Sequence, residues 1–213
     1  FSNNTPLDDG KGWAQLTFNA DYTRYILDYQ TEATPNHYTL YVKKGKQWKE
    51  TADRRLQAVN DKNAALLSKW QQATGDKQQG MKKQFFSFVT ERGDTLNGWF
   101  IRPPYELKDR FAEGSATPEG SQTASAERQY PVVMLQYSGP GSQRVVEKWN
   151  KKWEYALAQM GYAVVCVDVR GTGARGQKWL HETYLNLGIK EAEDIISVAN
   201  YVANNKFFAI DSS

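Results

Sequence analysis

The chain has 213 residues, enough for one large domain or two modest ones. It is 40% hydrophobic and 24% charged, an ordinary globular balance, and its mean hydropathy of −0.70 lies on the polar side. The net charge of +3, from 27 Lys and Arg against 24 Asp and Glu, is too mild and too dispersed for a nucleic-acid-binding stripe, and no window reaches the 18 apolar residues of a membrane-spanning helix.

Residue 1 is Phe and the opening FSNNTPLDDG is polar, so no signal peptide is legible. The expectation is a chain processed or cut from something longer. The single Cys, Cys166, lies in an apolar run and is expected to be a buried, inert thiol. With no second Cys to pair, it leaves the redox compartment open.

Residues 14–50 predict three short strands. AQLTF alternates through Leu16 and Phe18, YTRYILDY through Tyr25, Leu27 and Tyr29, and HYTLYV through Tyr38, Leu40 and Val42. Such period-two alternation marks half-buried strands. Turn residues separate and close them at 19–21, 34–36 and 44–46, so an antiparallel meander is expected. Three strands are one short of a propeller blade.

Residues 52–73 change period. Leu56, Val59, Leu66, Leu67 and Trp70 fall near helical spacing, which predicts one or two short connecting helices. Asn60 could cap the second, and Gly75 and Gly80 supply a stop. Residues 83–102 predict a hairpin, KQFFSFVT and TLNGWFIR around the turn ERGD, ended by Pro103 and Pro104. Residues 109–129 are rich in Ser, Thr, Ala, Gly and Glu and read as a mobile loop.

Beyond them the pattern becomes α/β. PVVMLQY and YAVVCVDV are continuous apolar strands. Val146, Trp149, Trp153, Ala156 and Leu157 predict a helix over 146–159, and Ile189, Ala192, Ile195, Ala199 and Val202 predict another. Apolar strands alternating with amphipathic helices imply a mostly parallel sheet covered on both faces.

Two glycine-bearing segments could carry chemistry. Gly171 to Gly176 fits G-x-G-x-x-G after a strand, the form of a dinucleotide-binding turn. Against that reading, the strand ends in the charged Asp168-Val169-Arg170, it is not the first of its unit, and Gln177-Lys178-Trp179 is a bulky helix start. Tyr137 to Ser142, YSGPGS, sits where the first apolar strand ends, the edge at which open α/β sheets gather ligands. It reads as an ordinary Gly/Pro turn with a packed Tyr, or as a Tyr hydroxyl and approachable backbone N–H groups able to stabilise an oxyanion.

No G-x-S-x-G pentapeptide occurs, so no nucleophile elbow is present. His37, at a strand start, reads as solvated or packed. His181, in WLHETY, reads as a structural residue on a short helix. No His, Cys and Asp cluster has metal-ligand spacing. Glu191, Glu193 and Asp194 fall in a helix's first turn, where acids offset the dipole, and are expected to be solvated.

ERGDTLNGWFIRPP, YPVVMLQYSGPGSQ and VDVRGTGARG, in this order, resemble the dipeptidyl peptidase IV branch of the prolyl oligopeptidase family of serine peptidases. The resemblance implies an α/β fold: an incomplete α/β-hydrolase domain over residues 81–213, a helical connector at 51–80, and antiparallel strands from the end of a β-propeller at 1–50. It implies a serine-type peptidase without a cofactor, acting on peptides with proline or alanine second from the N-terminus. Tyr137 matches the family's oxyanion-hole Tyr. Asp168, Arg170, Gly171 and Gly173 match a loop that shapes the domain and are taken as structural. The triad's Ser, Asp and His would all fall after Ser213, so this chain is expected to be inactive alone and to fold poorly without the remainder. A homodimeric parent and export to the periplasm are further implications. The alternatives are a non-catalytic homologue serving as a binding protein and a dinucleotide oxidoreductase.

Overall fold

A computed structural model describes residues 12–75, 81–104 and 130–204. They divide into two compact units. The first takes in residues 12–75 and 146–151, and the second takes in 81–104, 130–145 and 152–204. The predicted loop at 109–129 and the Gly80 stop lie outside the described residues.

The first unit is a four-stranded antiparallel meander followed by a helix. The strands are β1 (Trp13–Phe18), β2 (Arg24–Gln30), β3 (His37–Lys44) and β4 (Gln47–Thr51), in the order β1-β2-β3-β4. The fourth strand is missing from the three read in the sequence. Its residues QWKET are all exposed, so no apolar alternation announces it. The pairing Lys44↔Gln47 makes Gly45-Lys46 a two-residue hairpin loop inside the meander rather than its end. In β2 the alternation through Tyr25 and Leu27 marks the buried face, but in β3 register sets Thr39 and Tyr41 beside them rather than Leu40 and Val42, and Leu16 and Phe18 of β1 are exposed. Tyr25 stacks on Tyr41 with ring centroids 4.9 Å apart and meets Trp48 edge-on at 4.8 Å.

Helix α1 (Arg54–Thr74) is one helix of 21 residues. Asp53 caps it, accepting from the N–H groups of Arg55 and Leu56 at 2.9 and 3.1 Å, and Gly75, with φ 49°, ends it. Asn60 is therefore not a cap. It is buried mid-helix, and its amide accepts from the Tyr38 N–H at 2.8 Å and donates to the Tyr38 C=O at 2.9 Å. Tyr38 lies beyond the end of the β3–β4 ladder, which stops at Leu40↔Thr51, so the Asn60 amide stands in for a neighbouring strand. The covered face runs through Leu56, Asn60, Asn63, Leu67, Trp70 and Thr74, whereas Val59 and Leu66 are exposed.

The second unit is built on β5 (Gln84–Val89), β6 (Thr95–Ile101), β7 (Val132–Leu135) and β8 (Ala163–Asp168), in the order β5-β6-β8-β7. The hairpin β5–β6 forms as predicted around Thr90–Asp94. The sheet is mixed rather than mostly parallel: β6 pairs with both β5 and β8 antiparallel, and among the described residues only β7 and β8 run parallel. Two of the four strands come from a hairpin, whose strands run antiparallel to each other. β8 is buried at every position, which is why it reads as a continuous apolar run.

Register divides the sheet residues between two faces. Phe88, Leu96, Phe100, Val165 and Val167 pack with Val198 and Val202 of α4 (Ile189–Asn204). Trp99 and Cys166, register partners, lie on the other face, where α2 (Trp153–Gln159) contacts β6 and β8 and buries Tyr155 and Ala158. Lys83 Nζ lies on the same side, 4.4 Å from the Trp99 ring centre and 3.6 Å from the Glu154 carboxylate.

Both helices differ from their predicted forms. The helix expected over 146–159 begins only at Trp153. Residues 146–151 instead belong with the first unit, where Trp149 meets Trp70 edge-on at 6.4 Å and Lys151 pairs with Glu32. In α4 the buried positions are Glu191, Asp194, Val198 and Val202; of the predicted stripe Val202 is buried and Ile195 half-buried, whereas Ile189, Ala192 and Ala199 are exposed. Of the three acids expected to be solvated, Glu193 is half-buried, whereas Glu191 and Asp194 are buried because each has a partner. Glu191 accepts the Gly188 N–H at 2.9 Å, and Asp194 takes the Arg170 guanidinium.

Candidate active site

β7 and β8 are parallel, so the segments leaving their carboxyl ends emerge at one edge of the sheet. The first carries Tyr137 to Ser142, and the second carries Val169 to Gly176. Gly139-Pro140-Gly141-Ser142 closes as a turn, the Ser142 N–H donating to the Gly139 C=O at 3.0 Å. Pro140 presets the first central position, and Gly141 takes φ 74° at the second, where a side chain would be strained.

The two segments are laced together. The Gly141 N–H donates to the Gly171 C=O at 3.2 Å, and the Gly173 N–H donates to the Ser142 C=O at 2.7 Å. A Cβ on Gly173 would come within 2.6 Å of the Gly141 oxygen, so glycine is required there by close approach. The Gly171 N–H is taken by the Trp179 C=O at 3.1 Å. Backbone donors that a dinucleotide phosphate would need are thus already used inside the protein. The helix that follows, α3 (Gly176–Leu180), has only five residues. Arg175 lies over its Trp179 ring at 3.6 Å.

Asp168 ends β8 and is buried. Its two carboxylate oxygens accept the Arg144 and Val145 backbone N–H groups, each at 2.9 Å. Burial raises its pKa, and these two backbone hydrogen bonds oppose the rise. On the same segment the Arg144 C=O accepts the Trp99 indole N–H at 3.1 Å. Arg170 points the other way, into the protein. Asp194 holds it, with Glu193 at 3.1 Å and Asp94 at 3.6 Å from the guanidinium. The hydrogen bond to Asp194 raises the Arg170 pKa further.

Tyr137 is 58% exposed. Its ring folds over Gly139, where a Cβ would lie 2.9 Å from the phenol oxygen. The hydroxyl makes no hydrogen bond among the described residues and is open to a ligand. Neither histidine is placed as a base: His37 and His181 are both exposed, and His181 begins a short 3-10 turn, His181–Thr183, with Tyr184 at 6.2 Å. Among the described residues no group of His, Cys, Asp and Glu could hold a metal ion, and no helix is long and apolar enough to cross a membrane. Cys166 is fully buried, as expected from its apolar run. Sequence reasoning missed the clamp from Asp168 to residues 144–145. Its one signal was a carboxylate at the end of an otherwise apolar strand.

Residues 127–213 match the model of the prolyl oligopeptidase family. A probable dipeptidyl-aminopeptidase B of Phaeosphaeria nodorum is 46% identical over 84 residues, covering 39% of this chain and 9% of that protein. A dipeptidyl peptidase 4 of Trichophyton rubrum is 29% identical over 209 residues, 95% of this chain and 23% of its own length. The crystal structure of Porphyromonas gingivalis dipeptidyl peptidase 4 superposes with a TM-score of 0.68 at 32% identity, covering 91% of this chain and 23% of that one. The chain therefore spans about a quarter or less of the length of these relatives. The mixed sheet with its helices and the antiparallel meander before it fit an α/β-hydrolase opening preceded by propeller strands.

Proposed function

Because the chain belongs to the prolyl oligopeptidase family, in its dipeptidyl peptidase IV branch, we propose that it forms part of a serine exopeptidase that releases dipeptides from N-termini bearing proline or alanine in second place. The observation that carries this reading is Tyr137. Its hydroxyl stands open at the carboxyl edge of β7 and β8, on a segment laced to the next loop. A phenol O–H so placed can donate to the oxygen that becomes negative when a peptide carbonyl is attacked.

The 213 residues contain no G-x-S-x-G, so in this reading the nucleophile and its Asp and His partners are supplied from outside the chain. The meander β1–β4 is then the last blade of a propeller, and α1 the connector. Release of dipeptides rather than tripeptides, a homodimeric parent and export to the periplasm are parts of the same proposal, supported by the family resemblance alone.

The test is hydrolysis of Gly-Pro-p-nitroanilide by the intact protein, with labelling by a fluorophosphonate probe. Hydrolysis, with labelling of the intact protein and none of the isolated 213-residue chain, is the expected result. An intact protein that neither cleaves nor takes the probe would sink the peptidase reading and favour a non-catalytic binding homologue.

A further inference from the structure

The Tyr137 side chain does not fix its own position. It is exposed, and its hydroxyl makes no hydrogen bond among the described residues. Its placement depends on the backbone that follows, and that backbone, besides the Trp99 indole N–H on the Arg144 C=O, is tied to the end of β8. Gly141 and Ser142 bond to Gly171 and Gly173, and Arg144 and Val145 bond through their N–H groups to the Asp168 carboxylate. All of these partners lie at or just past the end of β8, a strand buried at every residue. A buried carboxylate is costly unless its oxygens are satisfied, and here each oxygen accepts one of two adjacent backbone N–H groups.

We propose that Asp168 is a positioning residue, whose carboxylate, with the reciprocal Gly141–Gly171 and Gly173–Ser142 bonds, holds the 139–145 segment and so sets where the Tyr137 hydroxyl stands. This rests on the reading of Tyr137 as the oxyanion donor. It goes further in assigning the precision of that donor to a residue that touches neither substrate nor Tyr137. Asn at 168 keeps the shape but places an NH2 against one of the two backbone N–H groups, so one anchor is lost. Ala at 173 keeps every charge and pushes Gly141 away.

The experiment is a double-mutant cycle in the intact protein with Asp168→Asn, Tyr137→Phe and the pair, reading kcat and KM on Gly-Pro-p-nitroanilide. Hydrogen exchange over 137–145 is followed in parallel, and Gly173→Ala serves as the variant that leaves the carboxylate intact. Asp168→Asn and Gly173→Ala should each lower kcat about tenfold or more with KM within about twofold, since small misplacements of a catalytic group act on the chemical step. In the Tyr137→Phe background, Asp168→Asn should cost almost nothing further. Exchange should quicken over 139–145 and stay unchanged in β5 and β6. An equal kcat loss in both backgrounds, or unchanged exchange over 139–145, would overturn the assignment. If Tyr137→Phe is itself silent or the intact protein is inactive, it is the oxyanion reading that has failed. Exchange alone then decides the clamp: quickening over 139–145 sustains it, and no change ends it.

Discussion

Asp194 grips Arg170 three ways. Its carboxylate accepts the Nε at 3.0 and 3.1 Å, the Nη2 at 2.7 Å, and the Arg170 backbone N–H at 2.8 Å. The pair is buried and fastens the first turns of α4 to the residues just past β8. Removing one partner of such a pair strands the other charge, which costs about 3–5 kcal/mol. Asp194→Ala should fall near the lower end of that range, because Glu193 and Asp94 stay within reach of the guanidinium. Denaturant unfolding of the intact protein measures it, and a loss under about 1 kcal/mol would show that the pair is not what holds α4 in place.

Tyr137→Phe removes one hydroxyl and little volume from an exposed site. Loss of one oxyanion donor typically costs about 10²–10³ in kcat. The expected signature in steady-state kinetics is a kcat fall of that order with KM little changed, while the melting temperature stays put. A fall in KM-governed binding alone would contradict the donor role.

Asn60→Ala leaves the Tyr38 N–H and C=O without their partner under a helix. Stranded buried backbone groups cost about 1–3 kcal/mol. Because Ala is the better helix former, a purely local account predicts stabilisation instead. Chemical denaturation followed by far-UV circular dichroism separates the two by sign.

Burial pushes the Cys166 thiol from 9.0 up to about 12, with Asp168 adding to the rise. Between those values the unfolded chain releases the proton and the folded chain keeps it. Folding stability should therefore fall as pH rises above 9.0 and level off past about 12. Cys166→Ala should remove that part of the alkaline slope. Ellman's reagent should react with the native protein only at the rate of unfolding, and rapid labelling at pH 8 would refute the burial argument.

Much of the fold was legible in local pattern. Alternation marks β1, β2 and β3, the turn ERGD between two alternating runs marks β5–β6, and the apolar run marks β8. The fourth meander strand was not legible, because every residue of β4 is exposed and it is held by backbone pairing to β3. Helix faces were harder still. In α2 and α4 the buried stripe differs from the apolar one, because Glu154, Glu191 and Asp194 occupy covered positions. At the site, the turn from Gly139 to Ser142 was readable from Pro and Gly, and Tyr137 from resemblance. Its lacing to Gly171 and Gly173 was not, because the bonds join residues about thirty apart in the chain through backbone atoms that every residue shares.

The amino-acid sequence by itself determined the types of elements and most of their order, since period and turn chemistry are properties of neighbouring residues. It also determined that Cys166 is buried, since an apolar run has nowhere else to go. The tertiary structure decided which polar groups go inside. An acid such as Asp194 enters the core only when a counter-charge meets it there, and that counter-charge, Arg170, lies 24 residues away. Asp168 likewise becomes a clamp only once β7 and β8 lie side by side and bring residues 144 and 145 to its oxygens.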